Sequence, residues 1–154
     1  YLGLSALLGV VTVIMAGTAS IYIVLMGGRL DTVFFLAVLL IYSKLLLVTA
    51  FAVLMSTLTS PILGAVIVFS AYVFGHATGV FMDLPPQFDG TFAKQMLEIV
   101  YYIVPNLGQF DIRAEAANDV PIRMAYVLFV LVYGAAYSAV LLVLASLAFE
   151  KKDV

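Results

Sequence analysis

The stretch LGLSALLGVVTVIMAGTASIYIVLM, residues 2–26, contains no charged side chain, and this constrains the fold more than any other feature. About 20 apolar residues wound as a helix cross the ~30 Å hydrocarbon core of a bilayer. The run closes at Gly27, Gly28 and Arg29, and three more follow. The second covers 32–58 and encloses Lys44. It breaks at Ser60 and Pro61, where proline suits the first turn of a new helix. The third is PILGAVIVFSAYVFGHATGVF, 61–81, and the fourth spans 121–149, ahead of EKKDV. No run alternates polar and apolar residues with period two, so spanning strands are excluded. The expected fold is an all-α integral membrane protein. Its transmembrane helices lie at about 2–27, 32–58, 61–81 and 121–149, within a single transmembrane domain over 1–154.

Composition agrees: 65% of residues are hydrophobic and 10% charged, against roughly a quarter charged in soluble domains. A net charge of -2 without a basic stripe argues against nucleic acid as a partner. Cysteine is absent, which removes disulfides, thiolate metal sites and a cysteine nucleophile together. The sequence begins at Tyr1 and enters an apolar run at once, with no basic n-region or cleavage site. It reads as cut at its N-terminus, with part of the natural protein upstream.

The 39 residues between the third and fourth runs have another character. MDLPPQFDGTFAKQMLEIVYYIVPNLGQFDIRAEAANDV holds half of the charged residues. Asp89 and Thr91 are candidate N-caps for a helix over 92–104, which Pro105 stops. Thirteen residues are too few to span, so a re-entrant or amphipathic helical segment is expected here. A second short helix is expected over QFDIRAEAAN, 109–118. Irregular backbone at 105–108 is tolerable at membrane depth only under cover of protein or water.

Catalytic motifs are missing. There is no glycine-rich phosphate loop ending in Lys and Ser/Thr. His76 is the only histidine, which leaves no histidine pair for a metal, and no apolar run carries two carboxylates. Ser43 and Lys44 are adjacent and face about 100° apart on a helix, a poor geometry for a Ser-Lys dyad. The chain is expected to be no enzyme, with no cofactor or metal of its own.

Three stretches together resemble one family, the type-2 ABC exporter permeases, the membrane subunits that pair with a separate ATP-binding subunit. They are LLLVTAFAVLMSTLTSP at 45–61, YYIVPNLGQFDIRAE at 101–115 and LAFEKKDV at 147–154. The subgroup most similar is the one labelled multicopper-enzyme maturation permeases. The resemblance covers nearly the whole chain and implies the last four of six spans. It implies a second permease copy as homodimer partner, and ATP-binding cassette subunits that hold ATP and Mg. It also implies export across the cytoplasmic membrane of a prokaryote, with membrane lipid around the helices. Tyr1 and the tail would then lie inside and 82–120 outside. The distribution of Lys and Arg mildly favours the reverse orientation.

Candidate residues fall into three groups. Pro105, Asn106, Phe110 and Asp111 carry the resemblance and are candidates for a re-entrant gate; Pro105 as a plain helix stop and Asn106 as a turn cap stand beside that reading. Tyr42, Ser43, Thr49 and Ser56 gather on one polar face of the second helix, a packing or pathway surface. Gly75, His76 and Gly79 in the third helix suggest a small-xxx-small packing face with His76 bonding across helices, or a proton or substrate site at an outer mouth. Gly134 and Ser138 suggest a further packing face, and Tyr101, Tyr102, Tyr126 and Tyr133 an interfacial belt. Lys44 faces away from the polar stripe, with Leu40, Leu47, Val48, Phe51 and Met55. At mid-bilayer it would cost about 2.5–3.5 kcal/mol. Its stem is expected to lift the amine toward the headgroups; a partner on another helix is the second reading and a substrate contact the third. A different functional class also remains open: a non-transporting anchoring or assembly subunit that docks through 82–120. An ion-coupled transporter would need more polar residues at mid-membrane than Lys44 alone.

Overall fold

The computed structural model describes residues 1–82, 105–112 and 122–150, without the side chains of 77–82. Among the described residues the secondary structure is entirely helical. Helix α1 runs Leu2–Leu25, α2 Thr32–Leu58, α3 Pro61–Met82 and α4 Met124–Glu150, with a single 3-10 turn at Leu107–Phe110. Three of them, α1, α2 and α4, are long and apolar enough to cross a membrane. Helix α3 has 22 residues, and its apolar stretch with described side chains, 61–76, is shorter. Side chains such as Leu2, Val13, Phe69 and Val132 lie open on the outer surface. So broad an apolar exterior belongs in lipid rather than water.

Backbone chemistry sets the helix ends. Gly27, at φ 77, takes the left-handed conformation that closes α1. Its N–H bonds to the Val24 carbonyl at 3.0 Å and that of Gly28 to Ile23 at 2.9 Å, the paired bonds of a Schellman motif. Helix α2 stops at Thr59, whose extended backbone (φ -133, ψ 174) leaves the helix. The Thr59 hydroxyl and N–H both donate to the Met55 carbonyl. Pro61 then starts α3, and the Ser60 carbonyl accepts the Gly64 N–H at 2.8 Å. So tight a link makes α2 and α3 antiparallel neighbours. Helix α4 begins at Met124, three residues after the expected start, because Ile122 and Arg123 are still non-helical.

Helix α2 is the centre of the molecule. Its Leu40, Leu47, Ala50 and Leu54 pack with Val127, Val130, Leu141 and Ala145 of α4 and with Leu107, Phe110 and Ile112 between them. The two helices run parallel: Ser43 lies opposite Gly134, and Tyr1 bonds the Leu46 carbonyl while it lies beside Ser138. Helix α1 runs antiparallel to α2, with the Tyr42 hydroxyl donating to the Ser5 carbonyl at 3.1 Å and the Tyr42 ring lying against Gly9. Only Thr12 of α1 is buried.

The expected helix over 92–104 lies outside the described residues. The expected helix over 109–118 is corrected where it can be seen. A 3-10 turn occupies Leu107–Phe110, and Asp111 and Ile112 follow without helix. The turn ends because Asp111 turns extended (φ -101, ψ 92) once its N–H has bonded the Gly108 carbonyl.

Candidate functional site

The segment 105–112 is no surface loop. Phe110 is fully buried, and Leu107 and Ile112 nearly so. Gly75 of α3 and Gly134 of α4 make room for it. A β-carbon on Gly75 would stand 2.8 Å from the Pro105 carbonyl oxygen and 2.9 Å from Leu107 Cγ. One on Gly134 would stand 3.0 Å from the Phe110 ring and 3.0 Å from Ser43 Oγ. Gly134 is about 15 Å along α4 from its start, and Ser43 about as far along α2. Phe110 therefore reaches roughly halfway into the bundle, and the segment fills the space between α3 and α4.

Irregular backbone at that depth leaves amides without helical partners, and in hydrocarbon each unpaired group costs several kcal/mol. Two tyrosines of α4 answer part of that demand. The Tyr133 hydroxyl accepts the Asn106 N–H at 3.2 Å, and the Tyr126 hydroxyl donates to the Gln109 carbonyl at 2.8 Å. The Phe110 and Tyr133 rings lie 6.2 Å apart and tilted, within the range of favourable aromatic contact. These two tyrosines thus seat the inserted segment.

Beside the segment lies the buried cation. Lys44 does not lift its amine to the headgroups: it is 6% exposed, about 18 Å of helix from the start of α2. Its Nζ sits 3.1 Å from His76 Nε2. His76 Nδ1 is 2.9 Å from the Tyr72 carbonyl. A carbonyl only accepts, so Nδ1 carries the hydrogen and Nε2 offers its lone pair to the ammonium. The Tyr72 ring, 4.4 Å from the imidazole, closes one side. The expected grouping of Lys44 with Leu40 and Leu47 is correct, but that face is the core of the protein rather than a face toward lipid. Packing against α3 and α4 closes the amine's route to the surface, and His76 supplies an acceptor within reach.

Pro105, Asn106, Phe110 and Asp111 thus fall in one inserted segment, with Pro105 and Phe110 buried and Asn106 and Asp111 half-buried. The residues of the polar face of α2 meet separate partners. Tyr42 turns to α1 and Ser43 to Gly134. Thr49 and Ser56 bond the carbonyls of Leu45 and Val53 on their own helix. Ser56 also borders an apolar groove of about 500 Å³ between α2 and α3, with Val48, Ala52, Gly64 and Phe69. Gly75 receives the inserted segment instead of another helix, and the surroundings of Gly79 lie outside the described residues. Gly134 and Ser138 are both buried on α4. Sequence reasoning missed the pairing of Gly75 with Leu107 and of Gly134 with Phe110. The available signal was a pair of glycines at matching depth in helices flanking a proline-bearing apolar segment.

Among the described residues no cluster of His, Cys, Asp or Glu could hold a metal ion. No protein-family model, curated protein or solved structure matches this sequence.

Proposed function

We propose that this chain is the membrane-spanning part of a permease subunit of an ATP-driven exporter, with α3 as a fourth span, and that it works as a homodimer with separate ATP-binding subunits in a prokaryotic cytoplasmic membrane. The reading rests on the resemblance of 45–61, 101–115 and 147–154 to type-2 exporter permeases. The observation that best supports it is the seating of 105–112 roughly halfway into the bundle, against α2, α3 and α4. A segment with a single 3-10 turn, held in place by side chains, can leave its seat when the helices move apart. Closure of the ATP-binding subunits would rock the helices, unseat Leu107 and Phe110, and let an amphipathic substrate pass outward between α3 and α4. The chain supplies path and gate, and hydrolysis belongs to the partner.

The test is co-purification of the complete permease with a co-expressed ATP-binding subunit, followed by ATPase assay in lipid nanodiscs. A stable complex with two copies of each, active as an ATPase, is the expected result. A permease that binds no ATPase overturns the reading and turns attention to 82–120 as a docking surface.

A further inference from the structure

The Lys44–His76 bond and the seat of the inserted segment share one short piece of α3. His76 accepts from Lys44, and Gly75, the preceding residue, carries the Pro105–Leu107 contact. The His76 carbonyl lies 3.9 Å from where a β-carbon on Gly108 would be. Any displacement of α3 at His76 therefore moves the wall against which Leu107 is packed.

The bond is conditional on protonation. Nδ1 already spends its hydrogen on the Tyr72 carbonyl, so Nε2 can accept from the ammonium only while it carries no proton. A proton there sets two donors and two positive charges against each other at 3.1 Å, in a region of low dielectric where like charges repel strongly. Lys44 on α2 and Tyr72 on α3 face His76; the other titratable side chains on the elements packed around them are Tyr42 on α2, Asp111 on the inserted segment and Tyr126, Tyr133, Tyr137 and Glu150 on α4. Tyr133 is engaged with the Asn106 N–H, and Tyr72 stacks on the imidazole.

We propose that Lys44 and His76 form a proton-sensitive latch on the inserted segment: with His76 neutral α2 and α3 are tied and 105–112 stays seated, and protonation of His76 breaks the tie and loosens the segment. This device belongs to the chain itself and needs neither ATP nor substrate. Its failure and the failure of the exporter reading are therefore separate results.

These 154 residues hold no cysteine, so with any cysteine elsewhere in the protein replaced by serine, one introduced at half-buried Gln109 carries the only nitroxide. The full-length protein in nanodiscs is taken stepwise from about pH 8 down to about pH 5, and the spectral line shape is recorded. The expected result is an immobilised spectrum at the high end and a growing mobile component toward the low end. His76→Gln keeps an acceptor for Lys44 and does not titrate, so its spectrum should stay immobilised throughout. Lys44→Gln offers an amide that can donate to His76 or accept from it, and it too should abolish the response. A spectrum that does not change with pH, or a response of equal size in both variants, overturns the latch.

Discussion

The Lys44 ammonium meets the His76 imidazole at 3.1 Å near the middle of α2, and Gly75, one residue before His76, is the surface on which Leu107 rests. A contact that ties α2 to α3 is thus also a boundary of the site that receives the inserted segment. Several consequences can be measured on the purified protein.

Removing the acceptor should hurt more than removing the cation. His76→Phe takes from a buried ammonium one of its partners, an expected loss of about 2–3 kcal/mol. Lys44→Met removes the charge along with its bond to His76, and that bond accounts for an expected loss of about 1 kcal/mol. Reversible unfolding in mixed micelles reads both; equal losses would mean that the bond contributes nothing specific.

Glycine substitutions should divide sharply by position. Gly75→Ala drives a methyl group into the Pro105 carbonyl and Leu107, and overpacking of that kind costs about 1–3 kcal/mol. Gly3 has nothing within 4 Å of its would-be β-carbon. Gly3→Ala should therefore be neutral or gain up to about 1 kcal/mol from helix propensity. Thermal melts of the two variants in one detergent make the comparison.

Phe110→Ala should leave a cavity between α2 and α4 and lower stability by about 3–5 kcal/mol. Phe129, on the exposed face of α4, exchanges one apolar environment for another. Phe129→Ala should change stability by less than about 1 kcal/mol. The same unfolding assay checks both.

Tyr133→Phe deletes one oxygen and leaves the Asn106 N–H without that acceptor. The expected effect is about 1–3 kcal/mol and faster amide exchange at Asn106. Tyr126 is more exposed, so water can replace its bond to Gln109, and Tyr126→Phe should have the smaller effect.

Much of the helical layout was legible in the sequence because it depends on local chemistry. Apolar length gave α1 and α2, Gly27 closed the first helix, and Ser60–Pro61 divided the second from the third. The grouping of Lys44 with Leu40 and Leu47 also followed from helical spacing. The direction of that face did not. In a chain bound for lipid both faces of a helix are apolar, so periodicity no longer separates core from exterior, and Lys44 was expected to reach for the surface. Nor could the sequence pair Leu107 with Gly75 or Phe110 with Gly134. Those contacts join residues far apart in the chain, and the two glycines that flank the proline-bearing segment mark room for it without saying which residue fills it.

The central claim is that 105–112 enters the bundle instead of lying in water. It is tested most directly by a single-cysteine scan of that segment and Arg123 in sealed vesicles open to a membrane-impermeant thiol reagent from either side. The account predicts protection at positions 107, 110 and 112, slow reaction at 106, 109 and 111, and rapid reaction at the exposed Arg123 position. Rapid, uniform labelling across 105–112 would contradict it.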